Sequence, residues 1–302
     1  MDNERRFPLV LSSFWLKVLA LLTMTIDHLG FAMEMFGYLP QVSIVFRYIG
    51  RLALPLFCFM IAEGAIHTKS FKKYALRLGI MASVVSLVIL GSEAIPLFRN
   101  NGLSMKDEGV IFLDLLLGAL SIYFLRQNKW YIKILAVLPL LYGVGSFIAV
   151  SFDSCGCYGE TYWFPYFIRT QYGWYGILLI ICFYFVHYIA QALIKLASSI
   201  SQIPYESYKD SNYERNVLNI VSAIMLIIVT VLYIVVMKLL PSKFTYYVNY
   251  TIQYFASFAG VFILLYSGKR GYNRKWFQYG SYLYYLLHLP LVYLLIYLIV
   301  SI

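Results

Sequence analysis

The sequence predicts an all-α membrane protein, a polytopic transmembrane bundle of about nine spans, and three observations carry that prediction. Hydrophobic residues make up 61% of the 302 and charged ones only 13%, where soluble domains have about 45–50% and about 25%. Nine apolar runs follow one another with polar connections between them. A helix needs about 20 such residues to cross about 30 Å of hydrocarbon. Lysine and arginine collect in the connections rather than within the runs, as topology signals do.

In chain order the predicted spans are Phe14–Phe36, Phe46–Ile66, Leu78–Ala94, Val110–Leu125, Tyr131–Val150, Tyr172–Leu196, Val217–Leu239, Tyr247–Tyr266 and Tyr279–Ile299. The first outlasts a signal-peptide apolar core and no A-x-A site closes it, so it is expected to remain as a span. The third and fourth are the shortest, and their ends are the least sharply marked. Even the longest polar stretch, Ser198 to Asn216, is only a loop, so residues 1–302 read as a single integral membrane domain. No internal repeat is visible, which speaks against a repeat-built transporter.

Orientation follows from the basic residues. When alternate connections are assigned to opposite sides, seventeen lysines and arginines fall on the side of the N-terminus. Six fall on the other, namely Arg47, Arg99, Lys106, Arg169, Lys238 and Lys243, with Arg51 set aside as intramembrane. That asymmetry predicts a cytoplasmic N-terminus and an outer C-terminus, which nine spans satisfy. The net charge of +10 is thereby explained by topology and anionic lipid headgroups, and no nucleic acid is expected as a partner. Cys58, Cys155, Cys157 and Cys182 make no disulfide framework, and nothing has metal-ligand spacing; Cys155 and Cys157 form an isolated C-x-C in an outer loop. The same loop carries Tyr158, Tyr162, Trp163, Phe164, Tyr166, Phe167 and Trp174. It reads either as an aromatic belt at the headgroups or as a lid or docking surface over a site below.

Ionisable groups inside spans are costly unless paired or hydrated, so they are the informative residues. At a rise of about 1.5 Å per residue, His28 lies about 9 Å below the outer face, Arg51 about 8 Å and Asp114 about 6 Å. His288 sits near the midplane of the last span. Asp27 and His28 project about 100° apart on their helix, so Asp27 is poorly placed to orient His28. A carboxylate from another helix, such as Asp114, suits that role better, and Asp27 is free to pair with Arg51. A buried neutral His28 would accept a proton at neutral pH. The plainer alternative is a packing network of salt bridges without chemistry.

A second cluster marks the cytoplasmic side: Glu63 and His67 at i, i+4, then Lys69, Lys72, Lys73 and Arg77. It is either positive-inside anchoring or a cationic mouth for a phosphorylated ligand.

These stretches carry a family resemblance. LKVLALLTMTIDHLG in the first span, YIGRLALPLFCFMIAEGAIHT in the second and KKYALRL after it resemble the TraX-like membrane acetyltransferases. GVIFLDLLLGAL, YSGKRG and YLYYLLHLPL continue the likeness in order over nearly the whole chain. The second-span stretch also looks like one in lysosomal heparan-alpha-glucosaminide acetyltransferases. The resemblance implies a multi-pass protein of the bacterial plasma (inner) membrane, using cytoplasmic acetyl-CoA and a peptide, pilin or glycan acceptor; whether it forms a homo-oligomer is left open by the sequence. It points at Asp27, His28, Gly50, Arg51, Pro55, Glu63, Gly64, His67, Thr68, Arg77 and His288. Asp114 departs from the pattern, standing where Thr or another small polar residue is expected.

The resulting expectation is acetyl transfer to an amine or hydroxyl at the outer face. Glu63, His67, Lys72, Lys73 and Arg77 would receive acetyl-CoA, and Asp27, His28, Arg51, Asp114 and His288 would form the catalytic set. His28 is the first choice for the base or the acetyl carrier, with His288 second; Arg51 would stabilise the oxyanion or hold a carboxylate. The alternative is a secondary transporter or proton relay built on the same charged layer. Pro55 is expected to kink the second helix between the two clusters.

Overall fold

The computed structural model describes residues 8–96, 105, 108–155, 161, 163–209, 211–245, 250–272 and 274–301. Cys157, Tyr158, Tyr162, Arg99, Lys106 and Tyr247 lie outside the described residues, and so does the side chain of Cys155. Among the described residues the chain is helical, with no strand beyond an isolated parallel bridge between Leu11 and Tyr266. The fold class is therefore the predicted all-α polytopic bundle.

Among the described residues the α-helices of five or more residues are α1 (Ser13–Met35), α2 (Pro40–Gly50), α3 (Ala53–His67), α4 (Phe71–Ala94), α5 (Ile111–Leu125), α6 (Trp130–Ile134), α7 (Val137–Cys155), α8 (Trp174–Ser201), α9 (Asn212–Leu239), α10 (Ala259–Leu264) and α11 (Lys275–Ser301). Taking α2 with α3 and α6 with α7, seven segments among the described residues are long and apolar enough to cross a membrane, and two shorter ones, Ile111–Leu125 and Tyr250–Leu264, complete the predicted order.

Three of the nine differ instructively from their predicted form. The second is broken: α2 ends at Gly50 and α3 begins at Ala53, with Arg51 and Leu52 forming the turn. Pro55 explains the place, because it has no N–H for the carbonyl four residues earlier, that of Arg51, and its ring crowds that carbonyl. The third begins at Phe71 rather than Leu78, so Lys72, Lys73 and Arg77 occupy helical turns instead of a loop. In the eighth, Tyr250–Phe258 is a nine-residue 3₁₀ helix leading into α10, longer than such runs usually grow.

At 15 residues α5 spans only about 22 Å, less than the hydrocarbon thickness. A short segment at membrane depth is tolerated when protein covers it. Ile111, Phe112, Asp114, Leu115, Gly118, Ala119, Ser121 and Ile122 are all buried, and a side chain at Gly118 would collide with Ile180 of α8.

The chain forms two compact units, one of residues Met1–Met60, Phe185–Val231 and Thr251–Ile302, the other of Ile61–Tyr184 and Leu232–Tyr250. In the first, α1 packs on α2 and α11, and Ala32, Met33, Val292 and Ile296 form a small apolar core. Tyr48 of α2 stacks on Phe255 of the 3₁₀ helix with centroids 4.1 Å apart and planes at 7°. In the second, α5 packs against α4 and α7.

Candidate active site

The first unit assembles a polar layer from three helices. Arg47 and Arg51 are i, i+4 on α2 and its C-terminal turn, so they share a face, and that face meets Asp27 of α1. Arg47 Nη1 lies 2.8 Å from Asp27 Oδ2, and Arg51 Nη2 lies 2.5 Å from Asp27 Oδ1. Arg51 Nε also donates to the Arg47 carbonyl at 3.2 Å, and the Arg47 guanidinium sits over the Phe31 ring at 5.1 Å. Side-chain exposures of 10% for Arg51, 11% for Asp27 and 21% for Arg47 mark a largely desolvated trio, in which pairing offsets the cost of burial. Gly50 permits it: any Cβ there would overlap the Asp27 side chain. Two guanidiniums and one carboxylate make the trio itself cationic.

Beside Asp27 on α1, His28 meets His288 of α11, rings edge to face at 4.9 Å and 65°. His288 is buried, at 4% exposure, and its Nδ1 lies 2.6 Å from the Tyr285 carbonyl. A carbonyl only accepts, so Nδ1 carries a proton, and in the neutral ring the lone pair is on Nε2. That Nε2 and the Nδ1 of His28 are both buried and, among the described residues, neither has a hydrogen-bond partner. Tyr284 stacks on His288 at 5.6 Å and 21°, and its hydroxyl meets Thr25 Oγ1 at 2.5 Å.

Thus the structure brings Asp27, His28, Arg51 and His288 into one unit, and realises the Asp27–Arg51 pairing left open by the sequence. Asp114 belongs to the other unit. Its carboxylate is fully buried and accepts the backbone N–H of Gln171 at 2.7 Å and of Tyr172 at 3.2 Å. It ties down the α7–α8 connection, and the expectation that it orients His28 finds a different partner in its place. Losing two buried acceptors strands two N–H groups, at about 1–3 kcal/mol each. Asp114→Ala should therefore lower the melting temperature of the detergent-purified chain, read by size-exclusion after heating; an unchanged transition would contradict this anchoring role.

Arg47 and Tyr284 are the residues that sequence reasoning missed. Arg47 was counted with the outer loops, although its i, i+4 spacing to Arg51 was the signal that could have found it. Arg169, also counted as an outer topology signal, is buried. It pairs with Asp153 at 2.6 Å and donates to Thr161 Oγ1 and the Phe164 carbonyl. These contacts join Arg169 to Asp153, Thr161 and Phe164 within the described part of that connection.

The second unit holds Glu63, His67, Lys72, Lys73 and Arg77 at the junction of α3 and α4. His67 Nδ1 donates to the Glu63 carbonyl at 2.9 Å, and Arg77 Nε to the Lys73 carbonyl at 3.2 Å. Arg126 caps the end of α3 through the Ala65 and Ile66 carbonyls at 2.7 and 3.0 Å. Lys72, Lys73 and Arg77 are exposed, so their charges can meet a soluble anion.

The TraX protein family matches residues 12–203 of this chain. A curated relative, the probable fimbrial assembly protein FimC of serogroup H1 from Dichelobacter nodosus, is 39% identical over 67 residues. That stretch is 22% of this chain and 27% of the relative, so the chain matches about a quarter of the relative's length. No solved structure matches.

Proposed function

The chain belongs to the TraX family, and from that premise we propose that it is a membrane-embedded acetyltransferase, moving an acetyl group from cytoplasmic acetyl-CoA to an amine or hydroxyl acceptor at the outer face. TraX proteins are associated with pilin acetylation, and the relative's name connects that protein with fimbrial assembly. A peptide, pilin or glycan acceptor in a bacterial inner membrane follows from the same premise. The orientation, N-terminus inside and C-terminus outside, rests instead on the asymmetry of basic residues between the two sides.

The observation that carries the reading is the His28–His288 pair, two imidazoles with unpartnered buried nitrogens beside a cationic trio. His288 Nε2, with its lone pair set by the bond to Tyr285, takes the proton from the acceptor as the acceptor's nitrogen or oxygen attacks the acetyl carbonyl carbon. The C–S bond then breaks, and the departing thiolate of coenzyme A takes a proton from the imidazolium. His28 is the partner ring, its centroid 4.9 Å from that of His288, and the guanidiniums of Arg47 and Arg51 stabilise the oxyanion. The sequence alone favours His28 as base; the bond from His288 Nδ1 to the Tyr285 carbonyl is the reason to exchange the two roles.

Lys72, Lys73 and Arg77 supply cations for the phosphates of acetyl-CoA, with Glu63 and His67 beside them. Replacing the three cations with glutamine should weaken coenzyme A binding to the purified, monodisperse chain by about tenfold or more. Unchanged affinity in titration calorimetry would take the nucleotide elsewhere. The reading as a whole is tested by giving membranes isotope-labelled acetyl-CoA and weighing peptide, pilin and glycan acceptors for added label. A secondary transporter would instead move its substrate with no acetyl-CoA consumed.

A further inference from the structure

The YSGKRG stretch has a use that the acetyl-transfer reading leaves open. Between α10 and α11 the chain turns through Ser267, Gly268, Lys269, Arg270 and Gly271, with Gly268 at φ +72° and Gly271 at φ +69°. Both conformations are left-handed and favour glycine. The segment before α1 holds this turn from one side. Leu11 N–H donates to the Leu265 carbonyl at 2.9 Å, and Ser267 N–H to the Leu11 carbonyl at 2.7 Å. Ser13 N–H donates to the Lys269 carbonyl at 2.8 Å, Phe14 N–H to the Arg270 carbonyl at 3.1 Å, and the Ser267 hydroxyl to the Leu11 carbonyl at 2.9 Å.

Within the turn this bonding uses both donors of Ser267 and the carbonyls of Lys269 and Arg270. Among the described residues, the N–H groups of Gly268, Lys269 and Arg270 donate to no backbone carbonyl, so three consecutive donors stay open. Successive open N–H groups in such turns form anion-binding concavities. The cations are in place: Lys269 and Arg270 are exposed. The Arg215 guanidinium lies over the Tyr266 ring at 4.7 Å, and a Cβ at Gly268 would come within 2.9 Å of its Nε. A topology signal needs only charge. A backbone pinned by five hydrogen bonds, with two left-handed glycines and open donors, is built for a ligand.

We propose that the Ser267–Gly271 turn binds phosphate, with Lys269, Arg270 and Arg215 as counter-charges to the backbone donors. Two sources present that chemistry, the phosphates of coenzyme A and an anionic lipid headgroup; the first rests on the acetyl-transfer reading and the second does not.

The test uses the full chain in phosphatidylcholine nanodiscs, comparing wild type with Lys269→Gln/Arg270→Gln and with Gly268→Ala, which changes no charge. Ser267→Ala, losing one tie to Leu11, is the milder variant should Gly268→Ala not stay monodisperse. One arm titrates coenzyme A by calorimetry; the other counts phosphatidylglycerol retained on the protein by native mass spectrometry. Coenzyme A affinity about tenfold or more weaker in the charge and backbone variants supports the site with coenzyme A as ligand. Loss of phosphatidylglycerol from both, at unchanged coenzyme A affinity, supports it with the headgroup as ligand. Overturning results are no change in either arm, or a change in the charge variant alone, which would reduce the turn to diffuse electrostatics. A wild-type chain that binds no coenzyme A would remove the acetyl-transfer reading instead, leaving the lipid arm to judge the turn.

Discussion

Replacing His288 with alanine is expected to lower acetyl transfer by about 10²–10⁴-fold, the usual cost of one positioned base, while coenzyme A still binds and the protein stays monodisperse. The expectation rests on three features of this side chain. It is 4% exposed, its Nδ1 is committed to the Tyr285 carbonyl at 2.6 Å, and its Nε2 has no hydrogen-bond partner among the described residues. A ring held in this way presents one defined lone pair. His28→Ala should also reduce turnover, because it removes the ring 4.9 Å away, but by less. The reverse order of losses would return the base to His28, and two active variants would dismiss the histidine mechanism.

The second large effect is on stability. Asp27→Ala leaves Arg47 and Arg51 facing each other without their shared carboxylate, at side-chain exposures of 21% and 10%. Breaking a buried pair by removing one partner costs about 3–5 kcal/mol, so this variant should aggregate or melt far below wild type in detergent. Arg47→Gln should be milder, since Asp27 keeps Arg51 and Arg47 is the more exposed of the two. A wild-type melting temperature for Asp27→Ala would show that the trio is better hydrated than its burial indicates. Adding Arg47→Leu and Arg51→Leu to Asp27→Ala should recover part of the loss, which separates an uncompensated charge from lost packing.

Much of this was legible in the sequence because membrane segments announce themselves by apolar length, and because ionisable groups within them are rare enough to mark a site. Asp27, His28, Arg51 and His288 stand out on that ground, and equal depth makes the Asp27–Arg51 pair one of the open options. Depth along a helix says nothing of which helices adjoin, however. Asp114 matched His28 in level, yet its carboxylate serves the Gln171 and Tyr172 backbone in the other unit. Arg47 is hidden for the opposite reason: it is the second residue of its predicted span, at an edge where a charge passes for a loop residue. The helix in fact begins at Pro40, which puts Arg47 two turns inside it. Nothing in the apolar pattern distinguishes the 3₁₀ run Tyr250–Phe258 from an α-helix of the same composition.

The central claim is that acetyl groups leave acetyl-CoA on the cytoplasmic side and reach an outer acceptor through the histidine pair. The most direct measurement supplies deuterated acetyl-CoA to inverted membrane vesicles, which expose their cytoplasmic face, and weighs the acceptors enclosed within. Vesicles carrying the wild-type chain should label an enclosed pilin, peptide or glycan, whereas His28→Ala/His288→Ala vesicles and right-side-out vesicles should not. Labelling that persists in the double variant, or acceptor movement across the membrane with acetyl-CoA unconsumed, would contradict the account.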